Sequence, residues 1–293
     1  MKILVIPDIH GKFEDAFIVI NEHKDHVDKV VVLGDYVDGY ESGLDNNYLV
    51  SSFYMLCEMA RQEPDKFCLC LGNHDMNYIS SNHGTYYCPR YHSDMAFQYR
   101  TMFAENLDIL NVAYLLDGCL FSHAGVSMDF YKDMVGKFIR SYYLKKSTIE
   151  EKSGHENAQL RLNLKSFDVE TLNFIMHYDF DSDGNGISWF NQIPVDDKAG
   201  RTASCVWIRP DELFEAKNWP PRIKCQVIGH TPIGLGAFKS GSRRLIAVDS
   251  RDNGRKGALL DTCLLDKIPW KAVTCRERKR PCGTDEWLAA FLK

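Results

Sequence analysis

The chain lacks any apolar run long enough to cross a lipid bilayer, which argues against an integral membrane protein. It also lacks an excess of basic charge. Its 35 Lys and Arg residues face 40 Asp and Glu residues, so the net charge is -5, whereas proteins that bind nucleic acids usually carry a basic surface. The chain begins with a short apolar segment that leads directly into a polar motif, unlike a signal peptide. We expect a cytoplasmic protein that binds neither membranes nor nucleic acids.

Cys-x-x-Cys pairs are missing as well, although the chain contains ten cysteines. A zinc ribbon or a thioredoxin-type site is therefore not expected. Cys68 and Cys70 alternate within a short apolar run, and Cys57, Cys119 and Cys225 also have apolar neighbours. This context favours reduced thiols that act as small buried hydrophobic side chains.

The first half of the chain alternates short apolar runs with longer amphipathic segments. Residues 3–6, 30–33 and 67–71 are apolar throughout, and residues 12–26 and 44–61 place apolar side chains at helical spacing. Continuous apolar runs are typical of strands that are covered on both faces. The alternation therefore predicts an α/β fold with a largely parallel sheet, and strands resume near 225–228, 245–248 and 258–260.

Five polar motifs follow apolar runs, each where a strand is predicted to end. These motifs are Asp8-Ile9-His10, Gly34-Asp35-Tyr36-Val37-Asp38, Gly72-Asn73-His74-Asp75, Ser122-His123-Ala124-Gly125 and Gly229-His230-Thr231. Ligands of such sheets bind beyond the carboxyl ends of the strands. The motifs therefore predict one site at one edge of the fold.

The first two motifs supply ligands for a metal ion. Asp8 and His10 alternate along an extended segment, so both side chains point to the same side. Asp35 ends the next strand, and its carboxylate could bridge to a second ion. Oxygen and nitrogen ligands without a thiolate suit Mn, Fe or Zn.

The second ion would take one neutral oxygen and two imidazoles, from Asn73, His123 and His230. Two ions about 3.5–4 Å apart can hold a bridging hydroxide and clamp a phosphoryl group. His74 follows a ligand directly, so its imidazolium could protonate the leaving oxygen, with the Asp38 carboxylate to orient it.

At these residues the chain resembles the calcineurin-like metallophosphoesterases, whose signature is D-x-H, G-D-x-x-D, G-N-H-(E/D), a lone His and a final G-H motif. It is most similar to the phosphoprotein-phosphatase branch, including bacterial and phage members and the symmetrical diadenosine-tetraphosphate hydrolases. Many other metallophosphoesterases have a second histidine at the position of Pro232. The proline in this chain is what the phosphoprotein-phosphatase branch has there. The motifs span residues 8 to 231, most of the chain.

The resemblance implies a four-layer α/β/β/α sandwich with two mixed sheets, formed by residues 1–293 as a single domain. One ion would bind Asp8, His10 and Asp35, and the other Asp35, Asn73, His123 and His230. His74 and Asp38 would form the acid dyad, and Mn²⁺ is the expected metal.

Residues 127–200 are more polar and less regular than the rest, and we interpret them as an inserted cap over the site. Residues 168–177 favour a helix. Residues 179–186 mimic the opening of a calcium loop, but the glutamate expected at the twelfth position is Phe190, so a polar turn is favoured.

One residue departs from the family pattern. The family usually has an arginine after the position of Asp38, where it grips the phosphate, and this chain has Gly39. Arg209 is the first candidate for a replacement, because related bacterial and phage enzymes have a Trp-x-Arg segment there. Arg90 is the second. Either side chain could bind phosphate oxygens with its planar fork.

The resemblance implies hydrolysis of a phosphoester, with phosphoserine or phosphothreonine in a protein as the first expectation for the substrate. A dinucleoside polyphosphate, such as diadenosine tetraphosphate, is the alternative substrate. A metal-binding scaffold without catalysis is the alternative from another class.

Overall fold

Two β-sheets lie face to face at the centre of the fold. The computed structural model describes residues 1–39, 45–80, 88–149, 166–183, 189–191, 203–215, 219–232, 236–240, 243–249, 255–264 and 270–274. The strands in these ranges are β1 (Lys2–Ile6), β2 (Lys29–Val32), β3 (Phe67–Cys70), β4 (Leu110–Asn111), β5 (Ala113–Leu116), β6 (Cys119–Ser122), β7 (Cys225–Ile228), β8 (Gly236–Ser240), β9 (Arg243–Ala247), β10 (Arg255–Asp261) and β11 (Trp270–Thr274). The helices are α1 (Phe13–His23), α2 (Asn46–Gln62), α3 (Asn73–Ile79), α4 (Ala96–Ala104), α5 (Met128–Ile149), α6 (Val169–Asp183) and α7 (Pro210–Glu215).

The first sheet has the strand order β11-β10-β1-β2-β3-β4. Strands β1 to β4 are parallel, and β10 and β11 add antiparallel pairs at one side. The second sheet has the order β5-β6-β7-β9-β8, with parallel pairs in the middle and antiparallel pairs at both sides. Both sheets are therefore mixed.

Alternation along the strands produces two layers of core. Ile3 and Val5 of β1 pack with side chains of the second sheet such as Phe121 and Val227, in the core between the sheets. The alternate residues of β1 face the helices instead. A continuous apolar run is thus explained by burial on both faces, as predicted for β1, β2 and β3.

The helices cover the outer faces of the sheets. Helix α1 packs against β1 and β10, and α2 packs against β3. Phe13, Phe17 and Ile20 of α1 are buried, which confirms the predicted apolar face. The layers therefore follow the order of helices, two mixed sheets and helices, which confirms the predicted four-layer sandwich. None of the helices within the described residues is long and apolar enough to cross a membrane.

The described part of the predicted insertion covers the second sheet. Helix α6 packs against β5, and the Asn173 side chain binds the edge of that strand: its Oδ1 accepts from Ala113 N at 3.2 Å and its Nδ2 donates to Ala113 O at 2.9 Å. The bounds of the insertion stay a prediction, because residues 150–165, 184–188 and 192–200 lie outside the described ranges.

One local prediction is wrong. Residues 179–183 were expected in a polar turn, but helix α6 continues to Asp183. The Asp179 carboxylate is buried, and it accepts a hydrogen bond from Trp189 N at 2.7 Å. This tertiary contact gives a buried polar side chain a partner, and so the helix can carry it inside the fold.

Seven of the eight cysteines in the described ranges are buried, as predicted. Every cysteine in the described ranges is free, and all of these except Cys263 are buried. Cys68, Cys70, Cys119 and Cys225 lie in the core between the sheets, where they act as small apolar side chains.

Candidate active site

The carboxyl ends of five strands meet at one edge of the sandwich, and the backbone there is unusual. Seven non-glycine residues in the described ranges have a positive φ, and four of them lie in the motifs: His10 (44°), Asp35 (53°), Asp38 (58°) and His230 (62°). A fifth, Arg90 (70°), contacts Asp38. Left-handed backbone is costly for such residues and clusters at functional sites. Sharp turns here bring side chains from separate strands to one point.

Backbone hydrogen bonds tie the first motif to the second. His10 N donates to Asp35 O at 2.6 Å, and Gly11 N donates to Tyr36 O at 3.1 Å. The two strand-end turns therefore form one unit, and the ligand candidates that they carry keep a fixed spacing.

Asp35 lies at the centre of the site. Its Oδ2 is 3.4 Å from His10 Nε2 and 3.5 Å from His123 Nε2. Its Oδ1 accepts a hydrogen bond from His74 N at 2.9 Å. One carboxylate oxygen thus lies between imidazoles that come from different sheets, which is the position predicted for a bridging ligand.

The two imidazoles present lone pairs to Asp35. His10 Nδ1 lies 3.3 Å from Val37 O and His123 Nδ1 lies 2.8 Å from Leu33 O. A carbonyl oxygen only accepts, so each Nδ1 carries a hydrogen and each Nε2 of the neutral ring is an acceptor. Burial lowers the pKa of His10 well below its usual value and lowers that of His123 to about 3, which keeps both rings neutral.

Asn73 brings a second group of polar atoms together. Its Nδ2 donates to Cys88 Sγ at 3.3 Å, so its Oδ1 faces His123 Nε2 at 2.8 Å and His230 Nδ1 at 3.0 Å. Because His123 Nε2 has no hydrogen, this contact joins two acceptors. The His123 and His230 nitrogens are themselves 3.2 Å apart.

Asp8 completes the group. Its Oδ1 and Oδ2 accept from His230 N at 3.0 and 3.1 Å, which joins the first motif to the last one. Gly229 makes this approach possible, since a Cβ there would clash with Asp8 Oδ1. We call Asp8, His10, Asp35, Asn73, His123 and His230 the metal-side cluster.

The metal-side cluster fits divalent metal ions. Burial, followed by the nearby charge of Asp8, raises the pKa of Asp35 well above its usual value. Acceptor atoms that face each other without a hydrogen between them repel unless a cation lies among them. Ligand atoms of Asp8, Asp35 and His123 lie within 4.8 Å of one another, as do those of His10 and Asp35. Carboxylate, amide and imidazole donors suit Mn, Fe or Zn.

His74 faces away from this cluster through its Nδ1, which is 2.7 Å from Asp38 Oδ2. The other oxygen of Asp38 accepts from the Tyr78 hydroxyl, and this hydroxyl accepts from His92 N at 2.9 Å. Asp38 is completely buried. We call His74, Asp38 and Tyr78 the acid network. Here every contact pairs one donor with one acceptor.

Asp75 holds the two central turns together. Its carboxylate accepts from the backbone N–H groups of Asp35, Tyr36 and Gly72, each at 2.8 Å. Burial raises the pKa of Asp75 to about 7, although these three donors act against the shift. Its role is structural, because it fixes the turn that carries Asp35 against the helix that carries His74.

The two candidate arginines have different surroundings. Arg90 Nε donates to Asp38 O at 3.0 Å, and its positive charge helps to lower the pKa of His10. Arg209 is exposed at the start of α7. Two residues before it, the Trp207 ring meets that of His230 edge to face at 5.8 Å between centroids.

All six predicted ligands and both members of the predicted dyad thus meet at one edge. Tyr78 and Cys88 were not anticipated. Tyr78 lies four residues after His74, which is the spacing of neighbours on one helix face, so a helix assigned from residue 73 would have indicated it. Cys88 had no signal in the sequence, because its contact with Asn73 depends on the path of a loop.

This fold and donor set define a metallophosphoesterase, and comparison with known proteins gives the same class. The profile of the calcineurin-like phosphoesterases matches residues 1–255. The chain therefore belongs to the calcineurin-like phosphoesterase family.

Solved structures are similar at low sequence identity. A cold-active protein-tyrosine phosphatase from a psychrophilic Shewanella species has a TM-score of 0.52 and 16% identity, over 89% of this chain and 75% of that chain. A serine/threonine phosphatase from Saccharomyces cerevisiae, similar to human phosphatase PP5, has a TM-score of 0.46 and 16% identity, over 96% and 82%. A proposed diadenosine tetraphosphatase has a TM-score of 0.41 and 14% identity, over 94% and 95%. At such identities, the likeness to the Shewanella structure concerns the fold alone.

Proposed function

We propose that this phosphoesterase is a two-metal protein phosphatase that hydrolyses phosphoserine and phosphothreonine. One ion would bind Asp8, His10 and Asp35. The other would bind Asp35 together with Asn73, His123 and His230. Mn²⁺ is the proposed metal, with Fe and Zn as the alternatives.

The main support is the position of Asp35 Oδ2, 3.4 Å from His10 Nε2 and 3.5 Å from His123 Nε2. These nitrogens come from the two proposed ligand sets, so a single carboxylate oxygen reaches both. When bound, a pair of divalent ions lowers the pKa of a water ligand and draws charge from the phosphoryl oxygens. The protein then needs no nucleophilic side chain of its own.

The acid network supplies the proton for the leaving oxygen. His74 Nδ1 is committed to Asp38, so Nε2 is the nitrogen that can transfer a proton. The Asp38 carboxylate orients the ring and stabilises its positive charge. Such a general acid contributes about 10²- to 10⁴-fold to the rate.

Arg90 is the better candidate for binding the phosphate. Its Nε bond to Asp38 O holds the guanidinium beside the acid network, and its charge reaches His10. Arg209 is exposed, and it lies two residues beyond the ring that contacts His230. We propose that Arg90 replaces the arginine that the family has at the position of Gly39, with Arg209 as a further contact at the rim.

The preference for a phosphoprotein comes from the resemblance at residues 7–11, 34–38 and 229–232, which are typical of the phosphoprotein-phosphatase branch. One assay series tests it. The purified chain, loaded with Mn²⁺, is given p-nitrophenyl phosphate, phosphoserine, phosphothreonine and phosphotyrosine peptides, and diadenosine tetraphosphate at matched concentrations.

The proposal expects the highest kcat/KM on the phosphoserine or phosphothreonine peptide. A preference for diadenosine tetraphosphate would establish a nucleotide hydrolase instead. A preference for the phosphotyrosine peptide would establish a tyrosine phosphatase in place of a serine/threonine phosphatase. Full metal content without hydrolysis of any substrate would identify a scaffold.

A further inference from the structure

Tyr78 binds Asp38 through the carboxylate oxygen that does not contact His74. It lies one helical turn after His74 on α3 and is 1% exposed. Its hydroxyl donates to Asp38 Oδ1, while Asp38 Oδ2 lies 2.7 Å from His74 Nδ1. Both oxygens of a completely buried carboxylate therefore have a donor, one on each side.

The direction of these hydrogen bonds is fixed. His92 N donates to the Tyr78 oxygen at 2.9 Å, so the phenol proton is directed to Asp38. The phenol remains protonated, because burial and the nearby charge of Asp38 raise the pKa of Tyr78 well above its usual value. The chain of donors runs from His92 through Tyr78 to Asp38.

The ring of Tyr78 is held on two sides. It stacks on Tyr91 at 4.7 Å between centroids and meets Tyr99 edge to face at 4.9 Å. Aromatic contacts of this kind fix the position of a ring by packing alone. The hydroxyl is thus placed by packing, and it can in turn place Asp38.

We propose that Tyr78 is a positioning residue for the general acid: by binding Asp38 Oδ1, it holds the carboxylate in the one orientation that aligns His74. This inference rests on the proposed acid role of His74. Without the hydroxyl, one oxygen of the buried Asp38 carboxylate would have no donor, and the carboxylate would turn towards another hydrogen-bond donor. His74 would then lose its alignment with the leaving oxygen, although the phosphate contacts would remain.

The test compares two aryl phosphates that differ in the acidity of the phenol that leaves. p-Nitrophenolate leaves readily without a proton, whereas phenolate depends more strongly on the general acid. The Mn²⁺-loaded Tyr78→Phe variant should lose about tenfold or more in kcat on phenyl phosphate. It should lose much less on p-nitrophenyl phosphate, with KM unchanged for both.

Two further variants calibrate this result. His74→Asn should show a larger loss with the same dependence on the leaving group. Tyr99→Phe is the matched control: its ring packs against Tyr78, but its hydroxyl donates to Asn46 Oδ1 at 3.0 Å and does not contact Asp38. It should leave kcat unchanged on both substrates.

The outcomes separate the two proposals. If kcat of Tyr78→Phe falls equally on both substrates, or does not fall, the role of Tyr78 is overturned. The acid dyad is still supported in that case if the loss of kcat in His74→Asn depends on the leaving group. A wild type that hydrolyses neither substrate, or His74→Asn without a leaving-group effect, would overturn both. If Tyr78→Phe does not fold, 3-fluorotyrosine at position 78 keeps the ring and changes the strength of the donor. The ratio of kcat for the two substrates must then shift, and an unchanged ratio overturns the role.

Discussion

Asn73 and His74 are neighbours in sequence, yet they belong to two regions of opposite character. Asn73 joins the metal-side cluster, where acceptor atoms face each other, as Asn73 Oδ1 and His123 Nε2 do at 2.8 Å. His74 joins the acid network, where every contact pairs a donor with an acceptor. A cation would relieve the repulsion between such acceptors in the first region, whereas the second is complete by its own hydrogen bonds. Metal binding and proton transfer should therefore be separable by mutation.

The strongest way to break the metal-side cluster is Asp35→Asn. It removes the charge that lies between His10 and His123, so both proposed ions lose a ligand. We expect the affinity for Mn²⁺ to fall by more than about 100-fold, since the outer partners of metal ligands alone contribute about 10- to 100-fold. Titration of the metal-free protein with Mn²⁺ measures this loss.

Asp108→Asn is the control for the change of charge. Asp108 is exposed and pairs with Arg61 at 2.8 Å, away from the site, so this variant should bind Mn²⁺ like the wild type. Wild-type affinity in Asp35→Asn would show that Asp35 does not bridge two ions.

His74→Asn breaks the acid network and leaves the metal-side cluster in place. We expect kcat to fall by about 10²- to 10⁴-fold, the range of a general acid, with metal content unchanged. Steady-state kinetics on phenyl phosphate and elemental analysis of the same sample measure both quantities. His177→Asn is the matched control, because His177 lies on α6 and its Nε2 is 3.3 Å from Asn111 Oδ1, a contact that belongs to neither region. Loss of metal from His74→Asn would contradict the separation of the two regions.

The sequence predicted these two regions unequally. Asp8, His10, Asp35, Asn73, His123 and His230 each follow a predicted strand, and parallel strands bring their ends to one edge, so the metal-side cluster could be inferred from spacing. Tyr78 and Cys88 act through contacts with particular atoms of Asp38 and Asn73. Those contacts depend on loop paths and side-chain packing, which strand periodicity does not encode. For the same reason, the sequence does not show how Arg90 and Arg209 lie relative to the site.

Cys88→Ala tests whether a partner of Asn73 affects the metal-side cluster alone. The Cys88 sulfur accepts from Asn73 Nδ2 at 3.3 Å and so turns Oδ1 to the histidines. Its loss should weaken Mn²⁺ binding by about tenfold, as for other outer partners of metal ligands, while the leaving-group dependence stays that of the wild type. Cys57→Ala removes the same group from a buried site on α2 and should not change Mn²⁺ binding. Equal Mn²⁺ affinities in the two variants would refute the role of Cys88.

The smallest expected effect is a release of protons on metal binding. Burial raises the pKa of Asp35, and a bound cation needs the ionised carboxylate, so affinity should rise with pH as long as Asp35 keeps its proton. His123 adds no protons, because its pKa is lowered to about 3 and its ring is already neutral. Calorimetry at a series of pH values, in two buffers of different ionisation enthalpy, measures the release, and identical heats in both buffers at every pH would contradict it.

The most direct test of the two-region account is a crystal structure of the Mn²⁺-loaded protein with anomalous scattering from manganese. The account predicts two anomalous peaks, one on each side of the Asp35 carboxylate, with His74 Nδ1 still bound to Asp38. A single peak, or a peak within bonding distance of either nitrogen of His74, would contradict it.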